Sequence, residues 1–270
     1  MKNMLKFTSL IILVSLSFSS VAQNFPVRFL FNGYKGNYFI DSYNPVFSGK
    51  DTTFLLPAGP HTFGINGYTF AEFTFNVDNT GKVSGISNSV AAYEKDENMN
   101  YSHNTPALPT IIFNTTNVTI NPNGAVYCFS AFDDPYPLYQ ATGKQQTFRL
   151  IKGLGYFVAT QFSGNAIKSP DYPDYTIPEL FFFNVDASGK VHPNDAAPVD
   201  IIAAQYNGST LLLNTENVTL DPKEFGATLI RVEGYGNKTA KTTYPFIKGL
   251  GRTIRYTSGG TDKYFYFVPM

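Results

Sequence analysis

Tryptophan is absent from this chain, and cysteine occurs once, at Cys128. A lone cysteine excludes an intramolecular disulfide. It lies in Ala125-Val126-Tyr127-Cys128-Phe129, a strand-like run in which a buried, inert thiol is expected. Charge is sparse and balanced, with 20 basic and 20 acidic residues. No basic patch or acidic tail stands out, which argues against a nucleic-acid partner and against electrostatic docking on a membrane. The three histidines, His61, His103 and His192, are scattered over different segments. With no HExxH pair and no second cysteine, no metal and no cofactor are expected. Gly-x-Ser-x-Gly and Walker-type loops are missing as well. A non-enzymatic protein is therefore expected, a hydrolase with an unrecognised carboxylate pair being the enzymatic alternative. Beyond the N-terminus there is no long apolar run and no amphipathic helix pattern.

The N-terminus has a basic head (Lys2, Lys6), an apolar middle from Leu10 to Phe18, and Ser20-Val21-Ala22. That order reads as a cleaved signal peptide over residues 1–22, with export to the periplasm, cell surface or extracellular space. The apolar stretch is too short to cross a hydrocarbon layer of about 30 Å, so no membrane span is expected in the mature chain.

What the chain does contain favours strands. There are 25 Phe and 18 Tyr, with 22 Gly and 17 Pro to turn between short segments, and the fold class read from them is all-β. One stretch recurs: Thr147-Phe148-Arg149-Leu150-Ile151-Lys152-Gly153-Leu154-Gly155, then Thr243-Tyr244-Pro245-Phe246-Ile247-Lys248-Gly249-Leu250-Gly251, and more loosely Thr53 to Phe63 around Gly59. Each copy reads as a hairpin about its glycine. A second match is independent of the first: Thr110 to Pro122 returns as Thr210 to Pro222. Phe181 to Val191 likewise matches Phe73 to Val83. The expected organisation is three tandem Ig-like or transthyretin-like β-sandwich modules, over 23–93, 110–206 and 207–270, with 94–109 as a linker or mobile loop.

Leu56-Pro57-Ala58-Gly59-Pro60-His61 resembles the central hairpin of PEGA repeats and of carboxypeptidase-regulatory-like and transthyretin-like modules. The Ser-Val-Ala-Gln junction resembles exported proteins of Bacteroidota. Ile151-Lys152 and Ile247-Lys248 replace the Pro-Ala pair in the later copies. The resemblance implies modules that bind surfaces or act as spacers.

Two turns, Asp78-Asn79-Thr80-Gly81 and Asp186-Ala187-Ser188-Gly189, have too few carboxylates for a calcium loop and read as tight reversals. Two other loops carry recognition chemistry: Asp133, Asp134, Tyr136 and Tyr139 in one, Asp171, Tyr172, Asp174 and Tyr175 in the other. Carboxylates accept from sugar hydroxyls and tyrosine rings stack on flat faces. If consecutive strands alternate in direction, both loops leave the same end of the sandwich. The function expected is binding or scaffolding at the cell surface, of an adhesion-like kind. A carbohydrate-binding accessory role through these eight residues is the alternative. The partner is a surface glycan or protein, and self-association through edge strands such as Tyr264 to Val268 is a further expectation.

Overall fold

The computed structural model describes residues 23–36, 38–41, 50–65, 72–87, 90–95, 108–129, 143–160, 180–194, 198–232 and 234–270. Residues 1–22 lie outside these. The chain is an all-β protein built of face-to-face sheets.

The first eight strands are β1 (Asn24–Leu30), β2 (Tyr38–Ile40), β3 (Thr52–Pro57), β4 (Gly59–Ile65), β5 (Glu72–Val77), β6 (Val83–Ser84), β7 (Ala91–Lys95) and β8 (Pro109–Phe113). They form two four-stranded sheets, ordered β3-β1-β8-β7 and β2-β4-β5-β6. The next eight are β9 (Thr115–Asn121), β10 (Cys128–Phe129), β11 (Gln146–Ile151), β12 (Gly155–Ala159), β13 (Leu180–Val185), β14 (Val191–Pro193), β15 (Ala204–Asn207) and β16 (Thr210–Leu213). Their sheets, β11-β9-β16-β15 and β10-β12-β13-β14, repeat the first order strand for strand. The last six are β17 (Thr215–Leu220), β18 (Ile230–Val232), β19 (Gly236–Lys238), β20 (Thr242–Ile247), β21 (Arg252–Ser258) and β22 (Thr261–Phe267). They make only β17-β20 and β19-β18-β21-β22; β1–β8, β9–β16 and β17–β22 are the first, second and third blocks.

Thr110–Phe113 and Thr210–Leu213, which begin the two matched sequence stretches, lie in β8 and β16. These strands run parallel to β1 and β9, with Thr110 beside Arg28 and Thr210 beside Thr119. One residue, Asn114 or Asn214, then leads into the next strand. The segment 94–109 begins and ends in paired strand, Glu94 facing Thr110 and Lys95 facing Pro109.

Strand alternation explains the core. In β1, Phe25, Val27 and Phe29 point inward while Asn24, Pro26 and Arg28 do not. In β13, Phe181, Phe183 and Val185 are buried and their neighbours less so. Side chains on one pleat face share one environment, so a period of two apolar positions is enough to close a sheet over its partner. Phe113 of one sheet meets Phe63 of the other at 4.8 Å between ring centres, and Phe129 meets Phe148 at 4.6 Å.

The glycine stretches around 59, 153 and 249 are not hairpins. β3 and β4 belong to different sheets, as do β11 and β12, and β20 and β21. Each glycine turn carries the chain across the sandwich, from the strand beside β1, β9 or β17 to the strand beside β5, β13 or β22. The turn amides find partners outside the arch: Lys152 N–H donates to the Asn114 carbonyl at 2.8 Å and Lys248 N–H to that of Asn214 at 2.9 Å. Positive φ at Gly59, Gly153 and Gly249 allows this reversal. Pro57 and Ile151 occupy the same register opposite Asn24 and Thr115, whereas Val77 and Val185 are reached from Gly59 and Leu154. The first arch is thus one residue shorter than the second.

The turns at Asp78 and Asp186 are the tight reversals expected. Asp78 Oδ1 accepts from Thr80 N–H at 2.8 Å, Thr80 Oγ1 at 2.7 Å and Lys82 N–H at 2.9 Å. Asp186 Oδ1 accepts from Ser188 Oγ at 2.7 Å and Lys190 N–H at 2.9 Å. These bonds hold both carboxyls below the usual range, led by the Thr80 hydroxyl at Asp78 and by the Lys190 amide at Asp186. A depressed folded-state value means the contribution is present above the ordinary carboxylate range and fades as pH falls through the folded value. Asp78→Asn with Asp186→Asn is expected to flatten the acid limb of stability in that window, read by thermal melts from neutral to strongly acidic pH. An unchanged limb would rule the turns out as its source.

A helix appears where no amphipathic pattern was expected: α1 (Pro198–Ala203), six residues. Val199 and Ala203, one turn apart, turn it onto the main core while Ile201 and Ile202 stay exposed, and Asn214 holds its last carbonyls. Asn214 Nδ2 donates to the Ile202 carbonyl at 2.8 Å and Asn214 N–H to that of Ala203 at 2.9 Å. A 3-10 turn at Pro222–Phe225 is capped by Asp221 and ends on left-handed Gly226.

Candidate interaction surface

The residues picked out from the sequence as a ligand site, Asp133, Asp134, Tyr136, Tyr139, Asp171, Tyr172, Asp174 and Tyr175, all lie outside the described residues. Their anchors are described. β10 and β12 are antiparallel neighbours, Cys128 facing Ala159 and Phe129 facing Val158. The chain therefore runs in opposite directions at Phe129 and Ala159, the last residues of these two strands. The alternation assumed from the sequence breaks down because β11, between them in the chain, belongs to the facing sheet.

Three polar residues that sequence reasoning missed occupy one shared inward position. His61, Tyr156 and Arg252 face Phe75, Phe183 and Phe267 across equivalent strand pairs, and all three are buried. His61 Nε2 lies 2.8 Å from the Pro57 carbonyl, with Nδ1 2.5 Å from Asp41 Oδ2. Tyr156 Oη donates to the Ile151 carbonyl at 3.0 Å and accepts from its N–H at 2.8 Å. Both therefore pin the last residue of the strand that enters the arch. Tyr156 is held well above the ordinary phenol range by burial, so it stays a neutral donor. Arg252 turns instead to the preceding block, donating to the Thr160 carbonyl at 2.7 Å and the Val126 carbonyl at 3.0 Å, with its guanidinium over the Phe246 ring. The signal available in the sequence was a polar residue four or five places after each arch entry.

The joints between blocks repeat too. After β1, Asn32-Gly33 forms a turn with φ of 50° and 85°, and after β9, Asn123-Gly124 has 48° and 84°. The first turn meets the second block: Thr115 Oγ1 donates to the Asn32 carbonyl at 2.9 Å, and a Cβ on Gly33 would lie 3.4 Å from Arg149. The second meets the third block at the equivalent threonine with the roles reversed, Asn123 Nδ2 donating to Thr215 Oγ1 at 2.9 Å, and a Cβ on Gly124 would lie 3.2 Å from Pro245. Ile247 and Leu250 of the last arch join the main core, while Leu220, Ile230, Val232, Tyr244, Phe246 and Ile254 make a small separate one.

The third block departs from the others in what covers it. Phe265 faces Ile254 as Phe181 faces Val158. Phe181 is fully buried, but Phe265 is 44% exposed. Phe267 stands where Phe183 stands, and it is half-buried rather than buried. In the first block the equivalent residue, Phe73 of β5, is half-buried, with Phe113 of β8 6.1 Å away. No strand fills that place beside β17 among the described residues. Phe225 of the 3-10 turn supplies partial cover, 5.1 Å from Tyr256 and 5.5 Å from Phe265. Tyr266, Val268 and Met270 add further exposed apolar surface nearby.

The tip of this sheet is ordered by charge. Arg255 Nε donates to Asp262 Oδ2 at 3.1 Å, its Nη2 bonds the same oxygen, and Thr257 Oγ1 donates to Asp262 Oδ1 at 2.8 Å. The pairing with Arg255 holds the Asp262 carboxyl below its usual range. Among the described residues no group of three or more His, Cys, Asp or Glu is placed to hold a metal ion. No described helix is long and apolar enough to cross a membrane. Among the described residues the third block offers apolar surface and the unpaired edge of β17. The chain matches no protein-family model, no curated protein and no solved structure.

Proposed function

We propose that this chain is an exported, non-enzymatic protein of three tandem Ig-like or transthyretin-like β-sandwich modules that acts in binding or scaffolding at the cell surface. The modules correspond to β1–β8, β9–β16 and β17–β22, each joined to the next through one asparagine. The observation that carries the reading is the uncovered inner face of the third module, where Phe265 is 44% exposed at a position that is sealed in the second. Phe265, Tyr266, Val268 and Met270 are all exposed within six residues, and clustered apolar surface of this kind supports a contact with another macromolecule. Joints that use polar contacts at both boundaries support a stiff array able to hold that surface away from its point of attachment. The N-terminal basic, apolar and small-residue pattern supports export with cleavage before Gln23.

The reading is tested in cells. A C-terminally tagged full chain is expected to begin at Gln23 by N-terminal sequencing, and to be labelled by antibody on intact cells. Retention of residues 1–22 with labelling only after lysis would overturn it.

A further inference from the structure

We infer that the third module is completed in trans by an extended, uncharged strand of another polypeptide, which runs parallel to β17 and lies over Phe265. The inference rests on the modular reading above and names the class of partner.

The acceptor edge is defined by hydrogen-bond geometry. In an antiparallel pair, facing residues alternate between exchanging both backbone bonds and exchanging none. Asn217 faces Pro245, which has no N–H to give, so that pair exchanges none. The backbone groups of Thr215, Asn217 and Thr219 therefore point away from β20. The second module shows the use of this edge: Thr119, equivalent to Thr219, donates its N–H to the Ser209 carbonyl at 2.9 Å, just before β16.

The two complete modules also specify the occupant's chemistry. Thr110-Ile111-Ile112-Phe113 and Thr210-Leu211-Leu212-Leu213 sit on strand one in the same register, the threonine opposite its fifth residue. Ile111, Phe113, Leu211 and Leu213 point inward and are fully buried. An occupant of the third module needs the same alternation, with its threonine-like residue opposite Thr219. Charge is not required, since Thr215, Asn217 and Thr219 along the edge are neutral. Among the described residues the two strands of this kind, β8 and β16, are already paired with β1 and β9. A second copy is the poorer donor, because its own β8 and β16 are already committed to closing sandwiches. Addition of a strand to an open edge gains backbone bonds along its length and specificity from alternate side chains.

The probe is a synthetic hairpin with the sequence of Ala204–Asn214, end-blocked and fluorescently labelled, titrated into the folded full chain. Saturable binding is expected, together with slowed amide exchange at Asn217 and Thr219. Replacing Leu211 and Leu213 of the peptide by Asn should weaken binding at least about tenfold. So should Phe265→Asp in the full chain, with an unchanged thermal melt as the check on its fold, and Thr219→Pro, which removes the edge donor. Absence of binding to the folded chain, or equal binding by the altered peptide and both variants, would overturn the inference. A free chain that is already dimeric, with Asn217 and Thr219 protected, would overturn it in favour of a second copy. Surface-labelled cells combined with a silent peptide would remove this inference alone and leave the cell-surface reading standing.

Discussion

Phe63→Ala is expected to lower the unfolding free energy by about 3–5 kcal/mol, the range for truncating a fully buried aromatic. The ring lies at the meeting point of both sheets of the first module. Phe29 of β1 is 6.2 Å away and Phe113 of β8 4.8 Å, both from one sheet; Tyr38 of β2 is at 5.6 Å and Phe73 of β5 at 5.2 Å, from the other. Neighbours fixed by strand pairing on both sides cannot collapse into the space, so the cavity term adds to the lost transfer energy. Phe63→Leu keeps most of the volume and should cost less than about 1.5 kcal/mol. Denaturant unfolding of both variants is the measurement. A loss below 1 kcal/mol for the alanine would mean that the two sheets do not share this core.

The second large effect is expected at Arg252. Arg252→Met should destabilise the junction by about 2–4 kcal/mol, because two buried carbonyls lose their donor at roughly 1–3 kcal/mol each, partly offset by the relief of a desolvated charge. The carbonyls belong to Val126 and Thr160 of the second module, so the loss falls on the joint rather than on the sheet that carries the residue. The last module should then melt in a separate, earlier transition, visible by calorimetry or by hydrogen exchange confined to β17–β22. Arg252→Lys reaches at most one of the two carbonyls and should fall between. A single transition shifted by less than a degree would show that the modules are not coupled through this guanidinium.

The residues needed for both effects were only partly legible in one dimension. Phe63 lies in an alternating run that any strand reading buries. Arg252 gives no such sign, because a charged residue after a glycine turn reads as solvated; it is buried only because the preceding module lies across its strand. His61 and Tyr156 share that position, yet His, Tyr and Arg do not align by chemistry.

By itself the sequence determined the strands, their inward faces, the aspartate turns and the recurrence of a strand–glycine–strand stretch. All of these are set by contacts within a few residues: side-chain alternation, a left-handed glycine, a carboxylate bonding amides two and four residues on. Tertiary structure alone decided how the strands pair. The glycine stretch looked like a hairpin because a turn between two apolar runs has the same local pattern whether the runs bond to each other or to strands in opposite sheets. Only β1 and β5, lying far away along the chain, make it an arch. Likewise, β8 and β16 read as openings of a repeat, although parallel pairing with strand one makes them closing strands. That no strand among the described residues lies at the free edge of β17 is visible only beside β1–β8 and β9–β16, where the place is filled. A missing neighbour leaves no trace in the residues that would have touched it.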